Sequence, residues 1–143
     1  LLQDFGVAAD IWSAPSYNEL RRDALACERW NRLNPGKKAR APYVAKATAN
    51  APGPFVAATD YMKALPEMVA PWLPGRLYSL GTDGFGRSDS RQALRRFFEV
   101  DAECIAATAL YALQQEGKVE AGEVSKAIKK LGVDPSKPDP WVS

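Results

Sequence analysis

Three short apolar runs, each bounded by glycine, proline or a polar turn and each followed by a helical stretch, constrain this chain more than anything else in it. Residues 7–14 (VAADIWSA) mix β-branched, aromatic and small side chains between Gly6 and Pro15. Residues 55–59 (FVAAT) follow Pro52-Gly53-Pro54, and residues 77–80 (LYSL) run into a glycine-rich loop. Runs of this kind read as short, largely buried strands. A strand–helix–strand–helix–strand order followed by terminal helices predicts an α/β fold with parallel strands.

The helices announce themselves by their caps. Ser16-Tyr17-Asn18-Glu19 forms a capping box, in which the serine hydroxyl and the glutamate carboxylate each satisfy a free backbone amide. The helix it opens runs toward Leu33, with Leu20, Ala24, Cys27 and Trp30 on one face, and Asn34-Pro35-Gly36 ends it. Two helical turns are expected over residues 43–49. Asp60 is placed to cap a helix over residues 62–72. Ser90 opens a helix to Phe98, and Asp101 opens another that ends at Gly117, with Ile105, Ala109, Leu110 and Leu113 turned inward. A last helix over residues 121–131 buries Val124, Ala127, Ile128 and Leu131 and carries Lys129-Lys130 at its negative end. The proline-rich tail after Asp134 is expected to be loosely held.

Composition narrows the chemistry. A length of 143 residues suits one domain, spanning residues 1–143, large enough for a core without staples. The net charge is +2, and the basic pairs Arg21-Arg22, Lys37-Lys38, Arg95-Arg96 and Lys129-Lys130 are scattered, which argues against nucleic acid. No apolar run approaches the roughly 20 residues of a membrane-spanning helix. The chain has no histidine, and its two cysteines, Cys27 and Cys104, lie far apart on apolar helix faces. That removes zinc sites built on histidine or four thiolates and every histidine-based triad. It suits buried thiols in a reducing cytosol. Trp12, Trp30 and Trp72 are expected in the core, and Arg29 could stack on Trp30 at an interface. The opening Leu1-Leu2-Gln3-Asp4-Phe5 carries no initiator methionine and suggests a piece of something longer.

The loop Gly81-Thr82-Asp83-Gly84-Phe85-Gly86-Arg87-Ser88 lies between a strand and a helix, where backbone amides can cradle a phosphate. A dinucleotide fingerprint from Gly84 would require a third glycine where Asp89 stands, and a phosphate loop would require Gly-Lys-Ser/Thr. The competing reading is a turn whose glycines take positive φ while Phe85 packs on a neighbour. Asp60, Asp83, Asp89 and Asp101 could be imagined as a metal or acid–base cluster, but three of them stand at helix starts, where capping alone explains aspartate. No nucleophile sits beside a base.

Three blocks go beyond generic patterning. Asp10-Ile11-Trp12-Ser13 with Glu19-Leu20-Arg21-Arg22-Asp23 and Glu28-Arg29-Trp30-Asn31 is the first. Ala57-Ala58-Thr59-Asp60-Tyr61-Met62-Lys63 is the second. Leu80-Gly81-Thr82-Asp83-Gly84-Phe85-Gly86-Arg87-Ser88-Asp89-Ser90-Arg91, with Phe98-Glu99-Val100-Asp101, is the third. In order and spacing they resemble the carboxy-terminal domain of the homodimeric pyruvate dehydrogenase decarboxylating components, in the transketolase superfamily.

The resemblance implies a three-layer α/β/α domain with a mostly parallel sheet, truncated at its amino end. A strand preceding Leu1 would lie between the runs at 7–14 and 55–59, so the central strand is expected to be missing. It further implies that thiamine diphosphate and Mg²⁺ are bound by upstream domains, and that this piece supplies no catalytic, cofactor or metal residue. The implied partners are those upstream domains, a homodimer mate and dihydrolipoyl acetyltransferase, in the cytoplasm. Asp83, Gly84, Phe85, Gly86, Arg87 and Ser88 are then expected to make a domain or dimer contact. Transketolase, another 2-oxo-acid dehydrogenase of the superfamily, or a non-catalytic docking module are the alternatives.

Overall fold

The computed structural model describes residues 1–142. The chain opens with a 3-10 turn, Leu2–Phe5, closed by Gly6 at φ 70°. Helix α1 spans Tyr17–Leu33 and α2 spans Tyr43–Thr48. Strand β1, Phe55–Ala58, is followed by the short α3, Ala64–Glu67, and a 3-10 turn, Ala70–Trp72. Strand β2, Leu77–Leu80, leads through the glycine-rich loop into α4, Arg91–Phe97. The last helices are α5, Ala102–Gln115, and α6, Ala121–Lys130.

Among the described residues the sheet consists of β1 and β2, paired in parallel with Phe55 opposite Leu77 and Ala58 opposite Leu80. The fold is thus mixed α/β, with a smaller sheet than the apolar runs suggested. Residues 7–14 do not form the expected strand. They run without regular structure and mostly exposed, with Ile11 at 96% and Trp12 at 59% of full exposure, so Trp12 is not a core residue either. The physical reason is that a strand needs a ladder partner. Phe55 N–H donates to the Arg76 carbonyl and Thr59 N–H to the Leu80 carbonyl. In a parallel ladder that alternation aims the Val56 and Ala58 backbone groups away from β2. No strand is paired on that side among the described residues.

The apolar core sits where α5 meets α6. Ala106, Ala107 and Leu110 from α5 pack with Val124, Ala127 and Leu131, and Leu2 and Phe5 of the opening turn close over them. Alanines along the buried face of α5 let the two helices approach closely, so larger side chains from α6 and the turn fill the space. Helix α5 also packs on both strands, and an edge-to-face contact between Tyr78 and Tyr111 at 6.0 Å ties β2 to it.

Capping behaves as local chemistry dictates, with two corrections. Ser16 accepts the Glu19 N–H at 3.2 Å, Ser90 the Ala93 N–H at 3.3 Å, and Asp101 the Cys104 N–H at 2.9 Å. The Glu19 carboxylate, however, is taken by an ion pair with Arg22, three residues on, in place of the return bond of a full capping box. The helix expected over 62–72 breaks into α3 and a separate turn. Pro71 cannot donate to the carbonyl of Glu67, and its ring crowds that position, so α3 ends at Glu67. Asp60 does not cap it: Lys63 occupies the cap position.

Candidate contact loop

The loop after β2 is held by its two ends and open at its apex. On the β2 side, Thr82 N–H donates to the Tyr61 carbonyl at 2.9 Å, and the Thr82 hydroxyl donates to the Asp60 carbonyl at 3.0 Å. Asp83 reaches back to accept the Lys63 N–H at 3.0 Å and stands 3.7 Å from the Lys63 ammonium. Asp83 therefore performs the capping assigned to Asp60 from sequence, across a separation that no local pattern reveals. Gly81 makes this closeness possible. A Cβ there would lie 2.6 Å from the Tyr61 carbonyl oxygen and 2.9 Å from the Lys63 nitrogen.

On the α4 side, the Arg87 guanidinium lies 4.2 Å from the centre of the Phe97 ring. Asp89 accepts the Ser90 N–H at 2.6 Å as α4 begins. Between these anchors Gly84 adopts φ 89°, a left-handed conformation that glycine enters without a Cβ penalty. Gly86 does not share it, so only one of the two glycines flanking Phe85 is needed for its backbone angle. Phe85 itself is 93% exposed.

The loop thus exposes an aromatic side chain between two anchored ends. The geometry also disfavours a phosphate. Asp89 already occupies the first amide before α4, Ser90 caps α4, and two carboxylates, Asp83 and Asp89, stand in the segment an anion would approach. Asp60, Asp83, Asp89 and Asp101 do not converge. Among the described residues no three cysteine, aspartate or glutamate side chains are grouped to hold a metal ion. The residues present do not fit a diphosphate-bearing cofactor with its cation.

The first sequence block turns out to be a set of clamps. Asp23 on α1 accepts the Tyr43 N–H at 2.6 Å and so starts α2. Asn31 grips Arg40 twice, donating to its carbonyl at 2.9 Å and accepting its N–H at 2.7 Å. Arg40 then lies 4.2 Å over the Trp30 ring, the position expected for Arg29. Glu28 accepts the Trp72 indole N–H at 2.8 Å.

Sequence reasoning missed Lys137 and Trp141. Residues 134–141 are tied down. The Lys137 ammonium donates to the Arg96 carbonyl at 3.2 Å and to that of Phe97, and it pairs with Glu99 at 3.3 Å. The Trp141 backbone lies against Gly84, within 3.4 Å of where a Cβ would stand. A lysine beyond a helix is a weak signal, because only the folded chain shows which carbonyls it reaches.

Residues 1–101 match the family described as the transketolase-like TK C-terminal domain. Over 141 residues, 98% of the chain, the sequence is 53% identical to the pyruvate dehydrogenase E1 component of Pseudomonas aeruginosa and 46% identical to that of Escherichia coli. A third relative of the same description, from Mycobacterium tuberculosis, is 42% identical over 134 residues, or 94% of the chain. The chain spans 14% to 16% of the length of these relatives.

Proposed function

We propose, from the premise that the chain belongs to the transketolase-like TK C-terminal domain family, that it is the carboxy-terminal assembly domain of a pyruvate dehydrogenase (acetyl-transferring) subunit. The observation that carries this reading is 53% identity to one such component across 98% of the chain. In this reading the intact subunit decarboxylates pyruvate on thiamine diphosphate and reductively acetylates the lipoyl group of dihydrolipoyl acetyltransferase, as a cytoplasmic homodimer. Thiamine diphosphate and Mg²⁺ are held by other domains, because the residues here do not fit them.

The domain's own work is mechanical. Residues 83–88 make a domain or dimer contact, which the exposure of Phe85 supports. The sheet belongs to a three-layer, mostly parallel arrangement whose central strand comes from the segment before Leu1 and lies between residues 7–14 and β1. Two features support this: among the described residues the second edge of β1 carries no strand, and residues 7–14 border the same open groove as Val56 and Ala58. No helix among the described residues is long and apolar enough to cross a membrane.

The test is turnover by the intact subunit with pyruvate, other 2-oxo acids and sugar phosphates, with lipoyl domain as acceptor. Pyruvate-dependent reductive acetylation is expected. Preference for sugar phosphates would move the chain to transketolase, and for another 2-oxo acid to a sister dehydrogenase. Calorimetric titration of residues 1–143 with thiamine diphosphate and Mg²⁺ should give no heat of binding. Micromolar affinity there would defeat the assignment of the cofactor to other domains.

A further inference from the structure

We propose that residues 134–142 form a strap that fixes the shape of the glycine-rich loop, with Lys137 as its positioning residue. Loop and strap come close in two places. They share one aromatic ring: Arg87 from the loop lies 4.2 Å from the Phe97 centroid and Lys137 from the strap lies 5.3 Å from it. They also lie near one another: a Cβ placed on the exposed Gly84 would stand 3.4 Å from the Trp141 backbone and 3.6 Å from the Pro140 carbonyl oxygen. Phe97 is the last residue of α4, so the shared ring stands at the carboxyl end of that helix, where lysine is favoured.

Lys137 fills that position with the Arg96 and Phe97 carbonyls. Two cations on one ring repel, and Glu99 offsets this by pairing with Lys137 at 3.3 Å. Glu99 reaches it from a backbone at φ 59°, the one non-glycine residue at positive φ among those described. The strap is stiffened from within. Asp134 accepts both the N–H and the hydroxyl of Ser136, at 2.9 and 2.6 Å, and Asp139 accepts the Trp141 N–H at 2.9 Å. A run of turns anchored at Lys137 thereby brings Trp141 beside Gly84. The loop's form then depends on residues some fifty positions downstream, whatever surface Phe85 meets. This coupling concerns the loop's shape and stands apart from the pyruvate dehydrogenase assignment.

Peptide-resolved hydrogen–deuterium exchange on the intact subunit tests it. Lys137→Met keeps the aliphatic stem but removes the charge and its donors. Exchange should quicken roughly tenfold in both residues 134–142 and 81–90, as local opening without global unfolding. Exchange in α5 should stay as in the parent, and Lys137→Arg should restore slow exchange in both segments. Faster exchange in the strap with an unchanged loop would overturn the proposal. If Lys137→Met also opened α5, the reciprocal variant Gly84→Ala decides. Disturbing the loop should then loosen the strap, and unchanged exchange over residues 134–142 would refute the coupling.

Discussion

Asp101 and Cys104 are joined through the first turn of α5: the carboxylate accepts the Cys104 N–H at 2.9 Å, and the same carboxylate bears on the thiol. Burial, then the hydrogen bond and charge of Asp101, then Glu99, push the thiol up to about 12, against a smaller opposing effect from Arg96. Thiolate is the reactive form, so Cys104 should resist iodoacetamide in the native protein up to about pH 10, and Cys27, being less buried, should be reached first by the reagent. The sign of the pH effect follows. A thiol raised from 9.0 to about 12 on folding contributes stability that is complete below pH 9 and is lost as pH rises from 9 toward 12. Mass-spectrometric labelling across pH, with a melting curve at each point, checks both statements. Asp101→Ala should cost about 1 kcal/mol through the lost cap alone.

The elements readable in advance are those whose causes are local. Ser16, Ser90 and Asp101 cap helices with bonds spanning three residues, so sequence spacing reveals them. Strands β1 and β2 were legible because each is a short apolar run between turn formers. Residues 7–14 have the same composition and still form no strand, because pairing depends on a neighbouring edge that composition does not specify. The loop was recognisable as a contact candidate from Phe85 between two glycines. Its supports were not, since Asp83 acts on Lys63 and Lys137 on Phe97 across 20 and 40 positions.

Gly81 should tolerate no side chain. Its missing Cβ leaves room for the backbone of Tyr61 and Lys63, at 2.6 and 2.9 Å from where that atom would lie. These are backbone atoms and cannot swing aside. Gly81→Ala should therefore destabilise by about 1–3 kcal/mol, as overpacking does. Calorimetry of the intact subunit reads the loss. Gly86→Ala, with open space around it, is the matched control and should change the melting temperature little.

Phe85→Ala tests the contact reading of the loop. A side chain 93% exposed contributes little to the stability of this domain alone. If it meets another domain or subunit, its removal costs association, where a buried aromatic anchor is commonly worth about 2 kcal/mol or more. Sedimentation velocity of the intact protein should show a weaker dimer or a looser shape, with chemistry in the assembled fraction near parental. Lost turnover with assembly and melting temperature unchanged would show the loop to be catalytic instead.

Ile11 offers the sharpest test of a strand supplied from before Leu1. It is 96% exposed, in a segment with no ladder partner. Ile11→Lys in residues 1–143 alone should therefore stay within roughly 0.5 kcal/mol of the parent, as surface changes do. Restoring the preceding segment changes the expectation. A strand inserted beside β1 would give residues 7–14 an edge to pair with, and Ile11 would pass from solvent into the layer under a helix. The same substitution should then cost about 1.5–3 kcal/mol in lost burial, and more if the ammonium has no route to water. Urea unfolding of the four proteins, two lengths with and without the substitution, gives the comparison as a double-mutant cycle. Equal, small effects at both lengths would mean that residues 7–14 remain outside the sheet and that the open edge of β1 is closed by something else.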